Sequence, residues 1–137
     1  GYPAPSASVN TMPDSSLYQA VDGRIWYFPE VTNHWTTLGS TSGSDWYAVD
    51  FGEPREVSSV KLYLVTDGKT YDVPDAITIE YQSGGQWLPV KTKEQNPQKL
   101  TGNTANTLAF DKVTATGIRI NFNHATKQVA VSEVECY

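Results

Sequence analysis

The feature that most constrains this chain is a side-chain alternation of period two that takes over from about residue 47. No stretch of ten residues can be written as an amphipathic helix, which leaves strands as the means of burying apolar surface. Val60, Leu62 and Leu64 share one face of residues 57–65, with Lys61 and Tyr63 on the other. Ile77, Ile79 and Tyr81 alternate with Thr78 and Glu80, and Ile118, Ile120 and Phe122 share a face of residues 117–122. Successive strand side chains point to opposite faces, so each segment can bury one face and wet the other. Ser83-Gly84-Gly85 leads straight into Trp87-Leu88-Pro89-Val90 and predicts a hairpin. Gly52-Glu53-Pro54 breaks the run that contains Val49 and Phe51, while residues 91–103 are polar and read as a long surface loop. Residues 107–110 and 129–137 supply further strands. Turn signals roughly every eight to twelve residues predict an all-β antiparallel sandwich or barrel.

At 137 residues the chain is long enough for one domain with its own core. An apolar fraction of 39% with 18% charged residues excludes a disordered chain, and no apolar run has the length of a membrane-spanning helix. Residues 1–5 read as a linker remnant and 6–137 as the domain, a module cut from a longer precursor. The formal charge is −5 and the Lys and Arg residues are scattered, so the basic stripe of a nucleic-acid-binding protein is missing. The same scatter argues against an anionic membrane surface as partner. Cys136, the single cysteine, cannot close an internal disulfide and reads as a small buried apolar residue.

Large rings crowd into residues 20–52. An Asp22-Gly23 turn precedes Trp26, Tyr27 and Phe28, then come Asn33-His34-Trp35 and Trp46-Tyr47. The acidic residues are dispersed, so the paired carboxylates of a glycosidase are not apparent. No Gly-x-Ser-x-Gly elbow, His-Glu-x-x-His pair or phosphate loop is present, and no catalytic role is assigned.

Taken in order, Ser6-Ala7-Ser8, Ala20-Val21-Asp22-Gly23, Asn33-His34-Trp35-Thr36 and Asp45-Trp46-Tyr47-Ala48-Val49-Asp50-Phe51-Gly52 form a recognisable set. They are followed by Val57-Ser58-Ser59-Val60-Lys61-Leu62-Tyr63, Ile77-Thr78-Ile79-Glu80-Tyr81, Gly85-Gln86-Trp87, Ile118-Arg119-Ile120 and Ser132-Glu133-Val134-Glu135. The set resembles a discoidin, or coagulation-factor type C, domain, in the style of the family 32 carbohydrate-binding modules appended to secreted microbial glycoside hydrolases. The resemblance covers residues 6–137 and implies a galactose-binding-like jelly-roll sandwich of about eight strands, with ligand-binding loops at one end. Animal members often clasp their termini with a disulfide, for which Cys136 has no partner.

That resemblance implies a secreted accessory module that binds an oligo- or polysaccharide and targets an attached catalytic domain. A protein- or phospholipid-binding discoidin domain and a purely structural module are the alternatives. Sugar rings present apolar faces and fans of hydroxyls, met by aromatic platforms and polar side chains. Trp35 and Trp46 match core positions of the family, and Trp87 reads as a strand-pairing residue. The ligand contacts expected are Trp26 and Tyr27 beside Phe28, with Tyr71 and Asp72 in the turn-rich segment 67–72. Arg24, His34, Lys69, Asn123 and His124 are the polar partners. A structural Ca2+ is also implied, since related modules hold one between the Asp-Gly loop and the last strand. Calcium takes six to eight oxygens; Asp22, Asn33 and Glu133 would offer side chains, and Ala20, Arg24 and Val131 backbone carbonyls.

Overall fold

The computed structural model describes residues 4–9, 35–38, 40–125 and 127–137. These form eight strands and no helix: β1 (Ala4–Ala7), β2 (Trp35–Thr36), β3 (Ser44–Val65), β4 (Ala76–Ser83), β5 (Gln86–Val90), β6 (Thr92–Asn96), β7 (Ala105–Asn123) and β8 (Ala130–Cys136). Every pairing between them is antiparallel. The path β2-β8-β3-β7-β4-β5 is hydrogen-bonded throughout, with β1 added to β3 and β6 to β7.

Two long strands make this one sheet behave as two layers. β3 and β7 pair along nearly their full lengths, with a register shift between Asp50 and Arg55. The shift falls on Gly52, whose φ of 79° is open to glycine without steric cost. On one side of the bend, residues 44–50 and 117–123 carry β1, β4 and β5; on the other, residues 55–65 and 105–115 carry β6 and β8. Both halves feed a single core: Tyr47, Val49 and Phe51 from the first meet Val60, Leu62 and Leu64 from the second. Trp35 joins them. It sits on β2, fully buried, with its ring centre 5.2 Å from Tyr47 and 5.8 Å from Phe122. Its indole N–H donates to the Val9 carbonyl at 2.9 Å.

The fold places the connections. Ser44, Asn123 and Ala76 lie together in register, and Val65 pairs with Ala130 at the same end of the folded ribbon. Segments 37–43, 66–75, 97–104 and 124–129 therefore gather there, at what we call the loop end. Ala4 pairs with Asp50, and Cys136 with Val60, toward the opposite end.

Three local features differ from the sequence expectation. Residues 92–96, read as loop, form β6; an edge strand bonded to one neighbour has no need of an apolar face. The expected segments 107–110 and 117–122 are one continuous strand, β7. Trp46, expected in the core, faces outward and is only partly buried. Tyr47, Val49 and Phe51 hold the inward phase, and Asp45 extends it by one polar position.

Candidate functional site

The loop end is built on buried polar anchors. Asp45 is 5% exposed, and its carboxylate accepts hydrogen bonds from Ser8 Oγ at 2.8 Å and Ser40 Oγ at 2.6 Å. His124 Nε2 lies 2.8 Å from Asp45 Oδ2, and His124 Nδ1 lies 3.2 Å from the Lys127 carbonyl. One side chain thus ties together the exit of β1, segment 37–43 and the loop after β7. A buried network satisfied in this way fixes geometry. His124 belongs to this framework: it is buried, and so is not the exposed ligand contact that the sequence predicted.

Segment 66–75 is pinned by an exposed carboxylate and a buried ring. Asp67 Oδ1 accepts from the backbone N–H groups of Lys69 at 2.8 Å and Tyr71 at 2.9 Å. These bonds, that from Lys69 foremost, hold the Asp67 carboxyl below its ordinary range. Tyr71 was expected to offer a ring to ligand. It is instead 8% exposed, clustered with Val65 and Ala130, and burial pushes its phenol up. Its role is to anchor the loop. Lys69 and Asp72 stay exposed; Lys127 Nζ donates to the Lys69 carbonyl at 2.6 Å, and the Asp72 carboxylate accepts from the Val73 N–H.

The third connection, 97–104, is clamped by Asn106, which the sequence did not single out. Its Oδ1 accepts from the Thr101 N–H at 2.8 Å, and its Nδ2 donates to the carbonyls of Thr101 at 2.8 Å and Leu62 at 3.2 Å. Gly102 packs so closely on Thr66 that a Cβ would stand 2.3 Å from its hydroxyl. Between segments 73–77 and 95–100 lies an open cleft of about 470 Å³, lined by Val73, Pro74, Asp75, Ile77, Gln98 and Lys99 among others.

Of the expected cation ligands, Glu133 and Val131 are described. Both are buried on β8, Glu133 at 2% exposure, which removes the possibility that this carboxylate is a solvated strand residue. Asp22, Asn33, Ala20 and Arg24 lie outside the described residues, as do Trp26, Tyr27, Phe28 and His34. Among the described residues no three His, Cys, Asp or Glu side chains come together.

With that geometry in hand, comparison with known proteins places the chain. The model of the F5/8 type C domain matches residues 6–135. The chain belongs to the F5/8 type C, or discoidin, family. Among solved structures, a Streptococcus pneumoniae β-galactosidase, BgaA, aligns with a TM-score of 0.86 at 22% identity, covering 99% of this chain and 92% of that one. The family 32 carbohydrate-binding module of Clostridium perfringens NanJ, described in complex with galactose, aligns with a TM-score of 0.74 at 21% identity, covering 97% and 91%. A chitosan-binding module from a chitosanase/glucanase of Paenibacillus sp. IK-5, in complex with chitotriose, aligns with a TM-score of 0.71 at 21% identity, covering 98% and 95%. At such identities these likenesses establish the fold. No curated protein matches the chain.

Proposed function

We propose that this chain is a non-catalytic carbohydrate-binding module that meets its glycan at the loop end. The observation that carries this proposal is the convergence of four connections on one end, tied to buried Asp45, His124, Tyr71 and Asn106, with an open cleft between segments 73–77 and 95–100. Structures sharing the fold include modules described in complex with galactose and chitotriose, which supports a sugar as the ligand class. Trp26 and Tyr27 supply the apolar platform, with Arg24, His34, Lys69 and Asp72 for hydroxyls; Tyr71 and His124 act as supports of the loops that carry them. The module is extracellular and holds an attached glycoside hydrolase near its substrate by raising local concentration.

A structural calcium ion completes the proposal. Glu133 supplies a carboxylate, and a buried carboxylate is costly unless a cation or hydrogen bonds compensate it. Asp22 and Asn33 side chains and the carbonyls of Ala20, Arg24 and Val131 are the partners proposed for it. Such an ion would neutralise Glu133 and tie the Asp22 loop to β8. Thermal melts in chelator and in added calcium should separate; coincident curves would exclude the ion.

Affinity electrophoresis through gels containing soluble polysaccharides tests the main proposal. Retardation that Trp26→Ala and Tyr27→Ala each weaken is the expected result. Absence of binding across a broad glycan array, or binding indifferent to both substitutions, would refute it. Sedimentation with phosphatidylserine vesicles should leave the protein in the supernatant.

A further inference from the structure

We propose that the outer face of β3, β7, β4 and β5 is a second glycan-binding surface, one that takes a neutral, extended oligosaccharide across Trp46, Arg119 and Trp87. The register sets these residues on one side of the sheet. Trp46 pairs with Asn121 and Asn121 with Thr78; Arg119 pairs with Glu80; Gly117 pairs with Gln82, and Gln82 with Trp87. The Arg119 guanidinium lies 4.6 Å from the ring centre of Trp87 and 5.6 Å from that of Trp46, so the two indoles stand within about 10 Å of each other.

At Gly117 the strand itself leaves no room for a side chain. A Cβ there would stand 2.8 Å from the Val49 carbonyl oxygen, while the Trp87 ring, at 3.5 Å, is at ordinary contact distance.

The polar groups of this face are used unevenly. Arg119 Nε donates to Glu80 Oε1 at 2.9 Å, and Asn121 Nδ2 donates to that same oxygen at 2.7 Å. Glu80 Oε2 and both Nη groups of Arg119 have no protein partner among the described residues. Packing alone accounts for the ring contacts. It leaves the second Glu80 oxygen and the Arg119 Nη groups, on side chains still 22–24% exposed, open to water or to a ligand.

A glycan uses every part. Its apolar ring faces suit indoles, and its hydroxyls both donate and accept, matching the spare Oε2 and Nη groups. Because two rings and an ion pair already hold Arg119, little ordering cost remains on binding. The pair cancels its own charge, which favours a neutral chain over an anionic or cationic one. The surface is on the flank of the sandwich, starting two residues from the loop end at Trp46 and running away from it to Trp87, and shares with the preceding proposal only the class of ligand.

The test follows the four indole N–H resonances of 15N-labelled protein, assigned by single Trp→Phe substitutions. The probes are β-1,4-galactotetraose, cellotetraose and triacetylchitotriose. Saturable shifts of Trp46 and Trp87 with at least one probe are expected. Trp87→Leu and the near-isosteric Glu80→Gln should each weaken them about three- to tenfold, the scale of one aromatic or hydrogen-bond contact. Shifts confined to Trp26 would overturn the second surface and leave the loop-end site standing. Shifts of Trp46 and Trp87 without Trp26 would uphold the second surface and count against the loop-end contact. Shifts unaltered in both variants, or none with any probe, would overturn this proposal.

Discussion

Replacing Asn106 by alanine removes the clamp on segment 97–104 from a side chain that is fully buried. The amide makes one accepted bond, from Thr101 N–H, and its Nδ2 lies near three carbonyls, those of Thr101, Leu62 and Thr104. Two hydrogens on Nδ2 limit it to about two full donations. Three hydrogen bonds at about 1 kcal/mol each, with buried partners left unsatisfied in part, give a loss of roughly 2–4 kcal/mol. For a domain of this size that lowers the melting temperature by about 10 °C. Asn106→Asp sharpens the test. It keeps the acceptor for Thr101 N–H but turns an oxygen toward carbonyls, so near neutral pH it should cost at least as much as alanine and recover partly in acid. Urea unfolding of the three proteins gives the free energies, and hydrogen exchange of residues 98–103 reports whether the loop opens first. A loss below about 1 kcal/mol in both variants would refute the assignment of Asn106 as the clamp.

Other perturbations give equally direct results. The Arg119 guanidinium holds Glu80 below its ordinary value of 4.5, outweighing the opposing effect of burial. The folded state therefore binds that proton less readily than the unfolded chain, and the stabilisation is present above about 4.5 and lost as pH falls through the lower, folded value. Glu80→Gln should abolish this share of the acid destabilisation while leaving the slope near pH 7 unchanged; an identical acid limb in urea titrations would contradict it. Gly117→Ala should destabilise by about 1–3 kcal/mol through overpacking against the Val49 carbonyl; wild-type stability in urea would show that the close approach does not matter. Cys136 is partly buried at the end of β8, packed against the core, and burial, with Glu135 adding to it, pushes its thiol up to about 12. The native protein should resist iodoacetamide at pH 8 and react once unfolded in urea, and rapid native labelling by mass spectrometry would contradict this.

Where information was local, the sequence was readable. The alternation of Val60, Leu62 and Leu64 and of Ile77, Ile79 and Tyr81 set the faces of β3 and β4. Gly84 and Gly85, with φ of 59° and 79°, form the tight turn that their spacing announced. Trp35 was also read correctly as core. Trp46 was not, because ring size says nothing about phase, and Asp45, a polar residue on the inward phase, masks the pattern there. Residues 92–96 pair through backbone atoms and one exposed ion pair, Lys93 to Asp111 at 2.8 Å, which leave no apolar signature. The loop-end framework was the least legible part: Asp45 and His124 stand 79 positions apart, and Asn106 meets Leu62 across 44. Neither pairing has a sequence signal short of the fold itself. Tyr71 was legible as a loop aromatic, but its burial depends on Val65 and Ala130, from β3 and β8.

The bent β3–β7 ribbon also sets the order in which the molecule can be assembled. β3 takes partners from both extremes of the described chain, residues 4–7 and residues 130–136, and β8 stands between β2 and β3. As the polypeptide leaves the ribosome, Leu62 and Leu64 are synthesised long before the strand that flanks them. A nascent fragment lacking β8 leaves residues 60–65 without one of their two partner strands, so the core cannot be completed until the last strand is made, and its pairings are distant ones. Such topologies fold slowly, and the exposed edge of the waiting ribbon is where a chaperone would be needed.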